Sequence, residues 1–431
     1  MRATLPTVGL APDPAVPARD VLLDSAEMAE RLGVLMGADG PLDVDHCERG
    51  RVKYRVGGSL RVVHELDISG SRFIVAGRTF AGGRSERVYE RALATARPFG
   101  PLRGVAHDPE LETVFWTFPN DRKIATLRDL VPDTDAISQL VGRPITRMLL
   151  AAYAPEKAAT AACFDEIAGR PIAYAKVFAD AGELAASLRA HTAVFDALGT
   201  ANSALRVPAV LAWSDEQRMI VVEAVEGRRV DTLRGPEHLE AMRRFGAALG
   251  TLHSLPAPAG VEPFERLEPA RQAPAAELVG RARPDVAAAA ERLAGDLAIE
   301  APAPAEPVCL HGDVHLKNGL LQARRIALID LDQVGLGPAA ADLGSAMAGI
   351  RYHALVADEA ARGERLQRAL LDGYASLREL PDAHELRWHV AAALLSERAL
   401  RAVNRVRPDG LARLGAVLAD ARAALRGEVA P

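Results

Sequence analysis

The sequence predicts an α+β fold in which two strand-rich segments precede a long helical one, and three observations predict it. Short runs of alternating apolar and polar residues, separated by GG and SGS turns, fill residues 51–80. The same order of strands, turn and helix returns between residues 145 and 225, and apolar residues recur at helical spacing after residue 235. We therefore expect an N-terminal α+β domain at 1–140, a strand-rich lobe at 141–232 and a helical lobe at 233–431.

The predicted elements follow in this order. The first segment holds the strand-like runs RVKYRV, LRVVHELDI and RFIVAGRTF, a helix over about 84–96 and the strand ETVFWTFP. The second holds ATAACFDEI and PIAYAKVF, a helix over about 181–198 and the strand RMIVVEAV. Helical patterns follow in PEHLEAMRRFGAALGTLHSL and ELVGRARPDVAAAAERLAGDLA, and again from residue 342 onward, with the strand-like VCLHGD before residue 314.

Two pairs of segments indicate a diverged duplication. ISGSRFIVAGRTF (68–80) resembles IAGRPIAYAKVF (167–178), and VFWTFPNDRKIATL (114–127) matches IVVEAVEGRRVDTL (220–233) without a gap. In this alignment Arg78 lies where Lys176 lies in the second copy. The alternative is that two ordinary meander-plus-helix units look alike by composition. The first copy could be a cap or support, a dimer interface or a scaffold. We expect it to pack on the rest of the chain, because VFWTF is too apolar for a free domain surface.

Composition restricts the function classes. A net charge of −5 and a pI near 6.2 disfavour a nucleic-acid binder, which would be basic. The three cysteines are far apart and form no CxxC pair, so neither a zinc ribbon nor a disulfide framework is predicted. No apolar run is long enough to span a bilayer and no secretory signal is visible, so a cytoplasmic location is expected.

The stretch HGDVHLKN, residues 311–318, has the H-x-D-x-x-x-x-N spacing of a kinase catalytic loop. Such a loop needs an aspartate near the acceptor hydroxyl, here Asp313, and an asparagine that binds Mg²⁺, here Asn318. A second Mg²⁺ ligand should follow, and RRIALIDLD supplies Asp330, with Asp332 two residues later. If this run is a strand throughout, alternation places both aspartates on one face.

A nucleotide site is predicted upstream. Lys176, one of only five lysines in the chain, lies in the apolar strand PIAYAKVF, where a cation needs an anionic partner such as a nucleotide phosphate. The strand IVVEAV is the expected hinge, and the backbone of Glu223 and Val225 would pair with adenine.

HGDVHLKN followed by LIDLDQVGLGPAAADLG resembles the aminoglycoside phosphotransferase and choline kinase-like family of small-molecule kinases, over about residues 141–431. The resemblance implies a protein-kinase-like, two-lobed fold, ATP and Mg²⁺ as cofactors, and a small-molecule hydroxyl acceptor. It implies that Asp313 is the catalytic base, that Asn318 and Asp330 bind Mg²⁺, and that Lys176 holds the ATP phosphates. His311 would brace the loop, and Asp342 would tie the helix that follows it.

Several points stay open. The acidic partner expected for Lys176 is Glu183 or Asp196, and APEKAATAA, which should cover the phosphates, lacks glycine. A catalytically weak pseudokinase that senses a ligand is one alternative function. A metal-dependent hydrolase using His311, Asp313 and His315 is another. The acceptor, the choice of ATP or GTP and the oligomeric state are not predicted, and the polar residues of the helical tail receive no role: Tyr374, Trp388, Glu397 and Arg401.

Overall fold

The computed structural model describes residues 9–130, 134–167, 169–199, 204–257, 259–265 and 267–428. The chain forms two compact units. Unit 1 consists of residues 1–181, 213–219 and 403–407, and unit 2 of residues 182–212, 220–402 and 408–431. The predicted division at residues 140 and 232 stays a prediction, since these two units follow other boundaries.

The first part of unit 1 is an α+β arrangement around a five-stranded antiparallel sheet of order β1–β2–β3–β5–β4. Its second helix begins at Asp24, whose carboxylate accepts hydrogen bonds from the Ala26 and Glu27 N–H groups and so caps the helix. The elements are α1 (Arg19–Leu23), α2 (Ser25–Met36), β1 (His46–Arg55), β2 (Ser59–Ile68), β3 (Ser71–Thr79), α3 (Arg84–Leu93), β4 (Val105–Asp108), β5 (Thr113–Thr117), α4 (Leu127–Leu130) and α5 (Thr134–Val141).

A second five-stranded sheet has the order β10–β11–β8–β7–β6, and the unit boundary falls within its β10–β11 hairpin. The elements here are β6 (Arg147–Ala154), β7 (Ala158–Phe164), β8 (Ala173–Phe178), α6 (Ala181–Leu198), β9 (Leu205–Arg206), β10 (Val210–Ser214) and β11 (Met219–Glu223).

The two sheets share one topology, which supports the duplication hypothesis. In each sheet, three consecutive antiparallel strands are followed by a helix. The last strand, β5 in the first sheet and β11 in the second, then lies next to the third strand, β3 or β8. Strand β5 has the sequence TVFWT, which includes the first four residues of VFWTF, and it is buried along its whole length. Its Trp116 indole N–H donates to the Tyr153 hydroxyl on β6 at 2.8 Å, so β5 packs toward the second sheet within unit 1, as its apolar composition predicts.

Unit 2 is mainly helical. Its remaining elements are β12 (Arg228–Arg229), α7 (Gly235–His253), α8 (Gln272–Ala282), α9 (Ala287–Ile299), β13 (Val308–Leu310), β14 (Gly319–Leu321), β15 (Ile326–Leu328), β16 (Gly335–Gly337), α10 (Ala339–Ala357), α11 (Ala360–Ala375), α12 (Ala383–Ala393), the first half of α13 (Leu400–Arg405), α14 (Pro408–Ala412) and α15 (Leu414–Leu425). A π-helical segment, Leu394–Ala399, joins α12 to α13. The short strands form a sheet of order β12–β14–β15–β9 and a β13–β16 pair.

Helices α7 and α11 pack backbone against backbone because glycine lies at their closest approach. A Cβ on Gly246 would lie 1.9 Å from the Leu370 carbonyl oxygen, and one on Gly373 would lie 1.8 Å from the Arg243 carbonyl oxygen. Neither contact is possible for a larger residue without moving a helix. This packing brings the C-terminal ends of both helices next to the start of α10.

The α+β fold class is confirmed, with strand-rich segments first and a helical part after them. In the part of the chain that the structure describes, none of the helices combines the length and the apolar composition needed to cross a membrane.

Candidate active site

The loop after β13 is anchored by one buried carboxylate. Asp342, in the first turn of α10, accepts hydrogen bonds from the His311 N–H at 2.6 Å and the Gly312 N–H at 3.0 Å. His253, at the end of α7, contacts the same carboxylate through Nε2 at 3.2 Å, and the Tyr374 hydroxyl lies 3.0 Å from His253 Nδ1. The α7–α11 packing thus positions the groups that hold the loop.

The charge of Asp342 is maintained although its side chain is buried. Burial raises the pKa of this carboxyl, but the hydrogen bond and charge of His253 and the donors at His311 outweigh it. The net result is a pKa below the ordinary value, so Asp342 is ionised near neutrality. An ionised acceptor forms stronger hydrogen bonds to the two loop N–H groups than a neutral one.

His311 braces the loop from inside. It is fully buried, its Nε2 lies 3.1 Å from the Ile329 carbonyl oxygen, and its Nδ1 lies 3.3 Å from the Asp313 N–H. These partners assign a neutral imidazole that donates from Nε2 and accepts at Nδ1. His311 therefore joins the loop to the hairpin that carries Asp330.

Gly312 is required by the loop conformation. Its φ is +74°, a region that residues with a side chain rarely adopt. A Cβ at this position would also lie 1.9 Å from the Gln333 carbonyl oxygen. The HGD sequence therefore contains the only residue type that fits its second position.

One side-chain and one backbone hydrogen bond of Asn318 join the catalytic-loop residues to the hairpin that carries Asp330. Asn318 donates from Nδ2 to the Asp313 carbonyl at 3.2 Å, and the Asn318 carbonyl accepts from the Ile329 N–H at 3.0 Å. Asp330 follows Ile329 directly. Because the amide nitrogen of Asn318 is used in the loop, its Oδ1 is the atom left for a cation. An amide oxygen with a carboxylate oxygen is a hard donor set that fits Mg²⁺ when phosphates and water complete the shell.

The prediction that Asp330 and Asp332 share one face of a strand is wrong. Strand β15 ends at Leu328, Asp330 has the left-handed φ of +65°, and Asp332 lies in a 3₁₀ turn. A left-handed backbone at a non-glycine residue is strained and tends to occur at functional positions. The turn separates the two aspartates, so only Asp330 continues the hairpin that holds Asn318.

Helix α6 has no acidic residue at the buried position facing this turn. Ser187 occupies it, and its hydroxyl donates to Asp332 Oδ1 at 2.8 Å. Glu183 and Asp196, which were the predicted partners of Lys176, are both exposed.

Within unit 2, a cavity of about 270 Å³ opens beside Asp332. It is lined by Ala186, Arg189, Ala190, residues 260–265 and residues 332–335.

Asp313 lies among cationic and neutral nitrogen groups. Its Oδ1 is 3.5 Å from His315 Nε2 and 3.6 Å from Arg401 Nη2. Burial, and then the charge of Arg398, lower the pKa of His315 to about 3, so this imidazole is neutral. Its ring nitrogens face Arg398 Nη1 at 3.3 Å and Arg401 Nη1 at 2.6 Å.

This geometry disfavours the metal-hydrolase alternative. His311 is committed to backbone partners and His315 to two guanidinium groups, so neither ring is free for a metal. Over the described ranges, no group of three or more His, Cys, Asp or Glu side chains could hold a metal ion.

The residues predicted to bind the nucleotide belong to both units. Lys176 lies in unit 1, on β8 opposite Thr160, half-buried, with Nζ 5.4 Å from the Phe178 ring centroid. In unit 2, Glu223 ends β11, its N–H donates to the Ala209 carbonyl at 2.9 Å, and its carboxylate pairs with Arg206. The Glu223 N–H is thus already used within unit 2 and is not available to adenine. Val225 lies beyond the strand, and no contact of the described residues tests its hinge role.

The turn between β6 and β7, predicted to cover the phosphates, is held by the first domain. The Glu156 side chain is fully buried and forms ion pairs with Arg61 at 2.7 Å, Arg78 at 2.5 Å and Arg122. Its N–H donates to the buried Asp121 carboxylate at 2.7 Å. A rigid, ion-paired turn therefore takes the place of a glycine-rich one.

Two groups of residues escaped the sequence analysis. Glu156 was not singled out because its three arginine partners lie in distant segments of unit 1. Arg398 and Arg401 lie more than eighty positions after His315 and contact it through tertiary packing. No periodicity or spacing in the sequence signals either cluster, although Arg78 in the alignment of the two copies was a partial indication.

The sequence model described as the phosphotransferase enzyme family (APH) matches residues 169–380. This segment belongs to the phosphotransferase enzyme family. The predicted family resemblance is thereby confirmed, and the matched segment includes Lys176, the whole of α6, the predicted catalytic loop and Asp342. The N-terminal sheet lies outside the match.

Solved structures resemble the phosphotransferase at low identity. The streptomycin–ATP ternary complex of APH(2")-IIa is 14% identical, with 66% of this chain and 96% of that chain covered and a TM-score of 0.47. The apo form of a thermostable mutant of aminoglycoside phosphotransferase APH(4)-Ia is 17% identical, with coverage of 69% and 100% and a TM-score of 0.47. The putative fructosamine-3-kinase from Thermobifida fusca YX-ER1 is 22% identical, with coverage of 68% and 98% and a TM-score of 0.43. No curated protein matches the chain.

Proposed function

We propose that this phosphotransferase transfers the γ-phosphoryl group of ATP to a hydroxyl group of a small polar molecule in a Mg²⁺-dependent reaction. The proposal rests on the two hydrogen bonds that place Asp313, Asn318 and Asp330 on one connected loop and hairpin. The Asn318 side chain holds the Asp313 carbonyl, and the Asn318 carbonyl pairs with the residue before Asp330. One loop and one hairpin thus supply a proton acceptor and two oxygen ligands.

In the proposed reaction Asp313 orients the acceptor hydroxyl and takes its proton as the oxygen attacks. A bond forms between that oxygen and the γ-phosphorus, and the bond from the γ-phosphorus to the bridging oxygen of ADP breaks. When bound, Mg²⁺ supplies neutralisation of the phosphate charge, and Asn318 and Asp330 would hold it. The protein's contribution is mainly positioning, because phosphoryl transfer requires little covalent chemistry from side chains.

The remaining assignments belong to the same proposal. Lys176 steadies the ATP phosphates, and the backbone of Glu223 and Val225 receives adenine. Such an ATP-dependent enzyme fits the cytoplasmic location expected from the sequence.

ADP release from Mg²⁺-ATP across a panel of hydroxyl compounds tests the proposal. We expect a compound-dependent signal that Asp313→Asn reduces by about 10²–10⁴-fold, because the substitution removes the proton acceptor while conserving shape. Asp409→Asn, the same substitution at an exposed residue of α14, is the matched control. ATP binding without any turnover would favour a ligand-sensing pseudokinase, and absence of ATP binding would refute the nucleotide site.

A further inference from the structure

We propose that the acceptor carries an anionic group, of carboxylate or phosphate chemistry, close to the hydroxyl that is phosphorylated. Arg401 binds this group, and Arg398 lies behind it. The inference rests on the proposed function, because it takes Asp313 as the group that receives the acceptor proton.

Arg401 presents open hydrogen-bond donors next to Asp313. Its Nη2 is 3.6 Å from Asp313 Oδ1, which is an ion-pair distance rather than a hydrogen bond. Its Nη1 lies 2.6 Å from His315 Nε2, which is its only hydrogen bond within the described part of the chain. A guanidinium has five N–H donors, and about a third of this side chain is exposed. Several donors therefore point to solvent beside the reacting carboxylate.

His315 cannot satisfy both arginines. It is neutral, and a neutral imidazole has one acceptor nitrogen. Guanidinium nitrogens nevertheless lie against both ring nitrogens, at 2.6 Å from Arg401 and 3.3 Å from Arg398. One of the two guanidinium groups consequently lacks an acceptor at this ring. An anion placed between them would supply it.

Arg398 is a buried cation with incomplete hydrogen bonding. Its side chain is 7% exposed, Nη2 donates to the Ser345 carbonyl at 2.7 Å, and Nε has no hydrogen-bond partner among the described residues. The Glu397 carboxylate is 3.7 Å away and itself accepts from the Ser345 hydroxyl at 2.5 Å. A buried charge is stable only when it is well paired. Among the described residues Glu397 and Ser345 leave Arg398 incompletely paired, and a second anion would complete the pairing.

The local backbone supports a binding role. Arg398 lies in the π-helical segment Leu394–Ala399, and such insertions occur frequently at functional sites. Arg401 is three residues further on, so both side chains leave the helix on the same side. A cationic acceptor would be repelled by two guanidinium groups, whereas an anionic one forms charge-assisted hydrogen bonds about twice as strong as neutral ones.

Titration calorimetry with small anions tests the arginine pair directly. Inorganic phosphate and acetate would each be titrated into the full chain with excess Mg²⁺-ADP, so that the nucleotide site is filled. We expect at least one anion to bind, and Arg401→Gln to weaken its affinity by about 10- to 100-fold. Arg368→Gln, on the exposed face of α11, should bind as the unmodified chain does. Unchanged affinity in Arg401→Gln, or no saturable binding of either anion, would overturn the proposal.

Turnover of four compounds with one ring skeleton gives the second measurement. Glucose is neutral, glucosamine cationic, glucuronate carries a carboxylate and glucose 6-phosphate a phosphate, so the last two distinguish the source of the anion. We expect the highest kcat/KM for an anionic compound, and a raised KM for that compound in Arg401→Gln. Preference for glucose or glucosamine, or an equal loss of kcat for all compounds, would contradict acceptor recognition by Arg401. Absence of ADP release and of ATP binding would refute the proposed function, and the anion titration would still decide on the arginine pair.

Discussion

Glu156→Gln removes the carboxylate that forms ion pairs with Arg61, Arg78 and Arg122 in unit 1 and keeps the shape of the side chain. The Glu156 side chain is fully buried, and those of Arg61, Arg78 and Arg122 are 13%, 19% and 24% exposed. Burial lowers the pKa of Arg61, and Glu156 opposes this. Without the carboxylate, three mutually repelling guanidinium groups stay in a poorly solvated site.

The expected loss of stability follows from this burial. Removing one partner of a buried ion pair costs about 3–5 kcal/mol, because the remaining charge is uncompensated. For a unit of this size about 2–4 °C in Tm corresponds to 1 kcal/mol, so Tm should fall by about 6–20 °C. Because Glu156 lies in the turn predicted to cover the phosphates, KM for ATP should rise as well.

Thermal and urea unfolding of the full chain measure the stability, and initial rates at varied ATP measure KM. Glu110→Gln is the matched control, because its side chain is 76% exposed and its ion pair with Arg31 is a surface pair. Such pairs contribute about 0–1 kcal/mol. If Glu156→Gln unfolded within about 0.5 kcal/mol of the unmodified chain, the reasoning from burial would be refuted.

Three further predictions concern the catalytic loop. Gly312→Ala places a methyl group 1.9 Å from the Gln333 carbonyl oxygen at a φ of +74°, and we expect loss of turnover with a destabilisation of about 1–3 kcal/mol in urea unfolding; normal turnover would show that the loop adopts another conformation. Asp342→Asn removes the ionised acceptor from both loop N–H groups and places an NH2 donor against one of them, so kcat should fall by about 10- to 100-fold at unchanged KM for ATP. A change in KM alone would argue against loop anchoring. His315 has a pKa of about 3 in the folded chain and an ordinary value of 6.5, so the unfolded chain binds the extra proton and stability falls as pH drops from 6.5 toward 3. Its contribution is about 1.4 kcal/mol per pH unit in that window, and His315→Asn should flatten the stability profile measured there by that amount.

The catalytic loop was predictable because its information is local. The spacing from His311 to Asn318 places both predicted functional groups on one short loop, and the β14–β15 hairpin that follows returns the chain to Asp330 beside it. The glycines at the α7–α11 contact, in contrast, mark an approach between helices far apart in the chain, which the sequence does not reveal.

The strand argument for Asp330 and Asp332 failed for a local reason as well. Alternation holds only while the chain stays in a strand, and the left-handed conformation at Asp330 ends that regularity. Asp332 is instead paired with Ser187 on α6, a contact between residues 145 positions apart. The hydroxyl at this helix position could not be assigned from α6 alone, because a helix sequence does not identify what packs on it.

The sequence by itself determined the fold class and the family resemblance, and it predicted the residues of a catalytic loop. Strand and helix periodicities are properties of neighbouring residues, and the loop motif fits within eight positions. Only the tertiary structure decided which arginines face Asp313 and what holds the β6–β7 turn. Arg398 and Arg401 contact His315 across 83 and 86 positions, and Arg78 contacts Glu156 across 78. Charges become partners at such separations through packing, because the free energy of an ion pair depends on distance and burial and not on position in the chain.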